Sequence, residues 1–191
     1  PGRVVVEPGA ALNVAGFVLG HDTAAASGYM LIDGGTLSAN MTGTDNPVLV
    51  GRWATGTLCA SNNAAMDITD WFNLGVYTRG ELHIGGNSTM TAGRFSLGWH
   101  TQEVMNFVGP GVAEIRSGLL SVANQFVWRS SGVASRTNLV TVGNGTPGSA
   151  TLRLPATMRT TSTAGGARLT LDGGKLEMIG LRTTAAGVSL T

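Results

Sequence analysis

The sequence predicts an all-β protein: a parallel β-solenoid (β-helix) of about seven coils, each with three short strands. Three observations carry that prediction. One hydrophobic–turn–hydrophobic phrase recurs along the 191 residues, most plainly as LIDGGTLSAN at 31–40 and LTLDGGKLEM at 169–178. Apolar and polar residues alternate around the centre of each copy, and four of the five phenylalanines fall at one phase of the repeat. Self-similarity at a spacing of a few tens of residues is the mark of stacked repeat architectures.

The central strand comes first. Each copy is anchored on one large apolar residue, in turn Leu12, Leu37, Met66, Met90, Leu120, Leu152 and Leu176, at intervals of 24 to 32 residues. Two positions on stand Val14, Ala39, Ile68, Ala92, Val122, Leu154 and Met178, all apolar. Between anchor and follower stand Asn13, Ser38, Asp67, Thr91, Ser121, Arg153 and Glu177, all polar. That alternation is the period of a strand with one buried face.

A second strand precedes each anchor: VVV at 4–6, MLI at 30–32, TLCA at 57–60, LHI at 82–84, AEI at 113–115, VTV at 140–142 and LTL at 169–171. The two are joined by corners such as EPGA, DGGT, SNNA and DGGK, whose Gly, Asn and Asp residues tolerate the positive φ of a tight turn. A third segment follows the anchor. Phe17, Phe72, Phe95 and Phe126 lie five or six residues after it, three of them in F-x-L-G. Met158 and Leu181 take this place in the last two copies, and VLVG at 48–51 is the same segment displaced by an insertion. A unit this small cannot bury its own apolar face, so units must stack, each residue meeting its counterpart about 4.8 Å away. The expected core ladder is therefore the seven anchors together with Phe17, Phe72, Phe95 and Phe126. A β-sandwich also uses short strands and glycine turns, but it has no need of a constant phase for phenylalanine.

Composition restricts function. The formal charge is +1, charged residues are only 12%, and the basic residues, all arginine but Lys175, are scattered from Arg3 to Arg182. A nucleic-acid surface needs clustered positive charge, so no nucleic-acid partner is expected. No run of some 18 apolar residues is present, hence no transmembrane segment. Cys59 is the sole cysteine and reads as a small buried hydrophobe. The chain opens on Pro1 as a coil and closes on GVSLT as strand, without an obvious cap. The expectation is a single domain over 1–191, a segment of a longer or self-assembling protein, with flanking coils or further copies as partners.

Motifs that could carry chemistry are weak. GNGTPG at 143–148 matches a dinucleotide-loop spacing, but Pro147 and the strand TLRLP follow where a helix is needed, so it reads as a corner. His83 points away from its apolar neighbours, and His21 and His100 are three coils apart, too far to share an ion; solvated histidines are expected, with no metal and no cofactor. Glycan-cleaving chemistry needs carboxylates on neighbouring coils. Asp67 has Ser38 and Thr91 beside it, Asp33 and Asp172 are five coils apart, and only loops could bring Asp67, Asp70 and Glu103 together, so no enzyme is expected. Trp53, Trp71, Trp99 and Trp128 lie near the third segment, as core caps or, for Trp99 and Trp128, as glycan contacts.

The phrases LTLDGGKLEM and VTVGNGTPGSATLRL resemble the autotransporter-associated β-strand repeats of large bacterial surface proteins. The resemblance implies a secreted passenger-like region from a Gram-negative-type cell. The expected function is a non-enzymatic extracellular structural solenoid of an adhesin, stalk, sheath or filament. A polysaccharide-binding module is the alternative, with a polysaccharide lyase or hydrolase behind it.

Overall fold

The computed structural model describes residues 2–21, 26–40, 48–98, 109–129, 137–161, 166–179 and 182–183. Within them lie strands and turns, and no helix. The chain winds as stacked rungs. The first holds β1 (Gly2–Val6), β2 (Ala11–Val14) and β3 (Val18–Leu19), and the second β4 (Gly28–Asp33), β5 (Thr36–Ala39) and β6 (Val48–Val50). The middle rungs hold β7 (Gly56–Ser61) with β8 (Ala65–Leu74), β9 (Gly80–Ile84) with β10 (Ser88–Leu97), and β11 (Gly111–Ile115) with β12 (Gly118–Arg129). The sixth has β13 (Thr137–Gly143), β14 (Ala150–Leu154) and β15 (Thr157–Thr161); the last has β16 (Gly166–Asp172), β17 (Lys175–Met178) and β18 (Arg182–Thr183).

All strand pairings are parallel, each strand lying on its counterpart in the next rung. One sheet runs β1-β4-β7-β9-β11-β13-β16, and the second runs β2-β5-β8-β10-β12-β14-β17 with the third-segment strands attached. The protein is therefore an all-β parallel solenoid. Leu12, Leu37, Met66, Met90, Leu120, Leu152 and Leu176 stand in one unbroken column. In the first sheet Val4, Met30, Leu58, Leu82, Ala113, Val140 and Leu169 form another. Apart from Val4, which is exposed in the first rung, side chains from these columns meet inside as one apolar cluster.

The repeat count needs correction. Seven rungs contribute to each sheet, but the solenoid makes about five full turns. An inward side chain is sealed only when rungs lie both above and below it. In the outermost rungs Leu12, Val14, Phe17, Leu176 and Met178 are only partly buried.

The expectation of three short strands per coil is also corrected. In β8, β10 and β12 the second and third segments fuse into single strands of 10 to 12 residues that bend at a register shift beside Ala92 and Arg94. The bend explains the phenylalanine spacing: β10 crosses it with one residue fewer than β8 or β12, and the neighbours absorb the difference as bulges. Gly93 lies at this point, where a Cβ would come 2.3 Å from the Thr69 carbonyl oxygen.

Beyond the bend, Phe72, Phe95 and Phe126 are fully buried and stack at centroid separations of 5.2 and 5.6 Å. Each ring pair adds about 0.5–1.5 kcal/mol beyond its area burial. Val48 takes the phenylalanine place in rung two and Met158 in rung six. In rung seven Thr183, not Leu181, pairs with Met158; Leu181 lies outside the described residues.

Two glycine columns set the remaining corner. Gly20, Gly51, Gly75 and Gly98, which end the third segments, all have positive φ. Gly2, Gly28, Gly56, Gly80 and Gly111 stand in register at the starts of the first strands. The columns touch: a Cβ on Gly80 would lie 2.3 Å from both the Gly75 nitrogen and the Val50 oxygen. The backbone closes here on itself, and the sequence between one column and the other varies from four residues at 52–55 and 76–79 to twelve at 99–110.

Candidate functional site

Strand alternation puts Leu58 and Ala60 inside, so Cys59 faces outward. It is half-buried rather than a core hydrophobe, which corrects its expected place. The outward column reads Val5, Leu31, Cys59, His83, Glu114, Thr141, Thr170. The column beside it carries Tyr29, Thr57 and Glu81 on adjacent rungs.

His83 stands at the centre of these groups. Its Nδ1 lies 3.2 Å from Glu114 Oε2 and its Nε2 3.4 Å from Glu81 Oε2. Arg116 donates to Glu114 at 2.9 Å through Nη2, and Arg79 Nε donates to Glu81. His83 is thus clasped between carboxylates rather than merely solvated. Burial alone would push Glu81 up, but hydrogen bonds from Arg79 and His83 outweigh it and hold this carboxyl below the ordinary glutamate range. Burial pushes the Cys59 thiol up, and the Tyr29 hydroxyl opposes this by hydrogen bonding.

This arrangement is poor for nucleophilic catalysis. A reactive cysteine needs a lowered thiol pKa and a base free to take its proton. Cys59 is shifted the other way, and both nitrogens of the neighbouring imidazole already face carboxylates. Among the described residues no group of three His, Cys, Asp or Glu side chains could hold a metal ion. What the cluster does is tie rungs three, four and five together along their outer face.

Other carboxylates behave alike. Asp67 accepts from Thr91 Oγ1 at 2.6 Å, Asp33 from Ser61 and Asn62 at 2.8 and 2.6 Å, and Glu177 from Arg153 at 2.8 Å. Asp70 pairs with Arg94 at 3.4 Å, and Glu103 lies outside the described residues. Residues 143–148 form a glycine turn leading into β14, where Gly148 N donates to the Gly173 carbonyl at 2.7 Å.

The tryptophans separate sharply. Trp128 is only 5% exposed, set edge-on against Phe126 at 5.8 Å, so it offers no surface to a sugar; Trp99 lies outside the described residues, as does His100. Trp71 is 8% exposed, with Arg94 over its ring. Trp53, by contrast, is 41% exposed and stacks on Tyr77 at 4.2 Å with 20° between planes. The two rings share a phase, each two residues after the glycine that ends its third segment. That repetition is the signal in the sequence that marks this corner.

Tyr77 and Val76 also cover Leu49, making the third segment buried on its outer side. Asn73 and Ser96 lie buried in the same outward column, Ser96 Oγ donating to Asn73 Oδ1 at 2.6 Å. Comparison with known proteins finds no matching family model, no matching curated protein and no matching solved structure, so the site stands on its own geometry.

Proposed function

We propose that this chain is a non-enzymatic structural β-solenoid that serves outside the cell as part of a surface adhesin, stalk, sheath or filament. One observation supports this reading above the others: several outward carboxylates, and His83 with them, are engaged across rungs. Asp67 with Thr91, Glu177 with Arg153, Asp33 with Ser61, and His83 with Glu114 each join neighbouring coils. A hydrolase or lyase needs such groups held apart and directed at a substrate. Here they reinforce the stacking direction, which is what an elongated load-bearing element requires.

The cell-surface placement rests on the resemblance of LTLDGGKLEM and VTVGNGTPGSATLRL to autotransporter-associated repeats. Antibodies raised to residues 1–191 test it directly. They should label intact, unpermeabilised cells of the organism that makes the protein. Labelling only after permeabilisation would refute the extracellular placement. Release of reducing ends from polysaccharides by the purified chain, abolished in Asp67→Ala, would refute the non-enzymatic role.

A further inference from the structure

The corner between β13 and β14 carries the one Asn-Gly pair of the sequence, Asn144–Gly145. Both residues are exposed, and a Cβ on Gly145 would meet nothing within 4 Å. Asparagine before glycine has a reaction open to it that needs no enzyme. The glycine nitrogen, unshielded by a side chain and free in its backbone angles, can reach the carbonyl carbon of the preceding side chain. Here that carbonyl is already polarised, because Thr146 N donates to Asn144 Oδ1 at 3.1 Å.

The attacking nitrogen is held back. Gly145 N donates to the Asp172 carbonyl at 2.9 Å, and Gly148 N donates to the Gly173 carbonyl at 2.7 Å. Both acceptors belong to rung seven. To attack Cγ, the Gly145 nitrogen must turn from Asp172 and give up its proton, so this hydrogen bond has to break first. Rung seven is itself thinly covered: Leu176 and Met178 are only partly buried, and Leu171 and Ile179 are 44% and 67% exposed. Segments with few buried apolar contacts are the ones that open locally while the rest stays folded.

We propose that Asn144 is a deamidation site whose rate is set by the docking of rung seven on rung six. When rung seven lifts, Gly145 N loses its proton to solvent base and bonds to Asn144 Cγ. The bond from Cγ to the side-chain nitrogen breaks, and ammonia leaves with a proton taken from solvent. Water then opens the cyclic imide at either carbonyl, giving an aspartyl or an isoaspartyl residue. The isoaspartyl form adds a carbon to the main chain ahead of Gly145, so the 145–148 turn no longer matches Asp172 and Gly173. An opening that was reversible becomes permanent. This chemistry belongs to one corner and does not depend on the chain's role outside the cell.

The test is mass-spectrometric peptide mapping of the purified chain after prolonged incubation in mildly alkaline buffer. The tryptic fragment 137–153 carries the site, and its fragmentation separates Asn144 from Asn138. Wild type unfolded in guanidinium chloride should convert at Asn144 fastest. Folded wild type should convert at least about tenfold more slowly, because the open state is a minor one. Leu176→Ala, which loosens rung seven away from the turn, should convert about tenfold faster than folded wild type. Gly173→Ala puts a Cβ 2.7 Å from the Thr146 carbonyl oxygen and should act in the same direction. Asn144→Gln, which would have to close a larger ring, should lose the conversion at this position. Circular dichroism and melting identify the folded variants, and Leu176→Ala decides alone if Gly173→Ala does not fold. The proposal is overturned if the unfolded chain does not convert at Asn144, or if folded wild type converts as fast as the unfolded chain. It is equally overturned if folded Leu176→Ala converts no faster than wild type.

Discussion

Phe95 has a phenyl ring on either side of it along the solenoid axis and is closed off from water. Its removal leaves a cavity that stacked strands on both sides cannot collapse to fill. Phe95→Ala should cost about 3–5 kcal/mol in urea unfolding, whereas a loss under about 1 kcal/mol would mean the ring is not in the stack. Glu81 makes a prediction of a different kind. Its pKa is lowered in the folded state, so its contribution is present above the ordinary glutamate range and is lost as pH falls through the folded value. Glu81→Gln should therefore be less stable than wild type at neutral pH by a few tenths to about 1 kcal/mol. The gap should close in acid, where wild-type Glu81 is itself protonated. A gap independent of pH would assign the effect to packing.

Elements follow from local chemistry to different degrees. The anchor and first-strand columns were legible because a buried strand face repeats every second residue, and Leu12 through Leu176 obey that period without interruption. Cys59 in its apolar run reads as buried, whereas alternation, with Leu58 and Ala60 inside, puts it outside. The fused strands were not legible, since β8, β10 and β12 join two segments through a bend whose residue count differs between rungs. Nor was the role of each tryptophan: Trp53, Trp71 and Trp128 differ by which corner covers them, and coverage is a property of the folded neighbours. The glycine column at the first-strand starts is legible in GYMLID, GTLCAS, GELHI and GVAEI, each of which opens its strand with glycine. That column supplies a sharp comparison. Gly80→Ala puts a methyl group into the backbone of Gly75 and Val50 and should prevent folding or lower the melting temperature severely. Gly145→Ala meets nothing within 4 Å and bears only the strain of a positive φ, about 1–3 kcal/mol. Equal effects of the two substitutions would mean that the corner does not close as described.

At the scale of the whole molecule, the strand pairings join each rung to the next, so stability grows by repetition along the stack. The sheets carry the stack, with outward carboxylates and His83 linking rung to rung, while Trp53 stands exposed at the corner between the glycine columns. Low net charge adds little repulsion between copies lying side by side.

The most direct measurement is electron microscopy of the native material, without labels or crosslinker, together with its diffraction. The account predicts fibres or elongated rods with an axial repeat near 4.8 Å, the separation of stacked parallel strands. Compact particles without that repeat would contradict it.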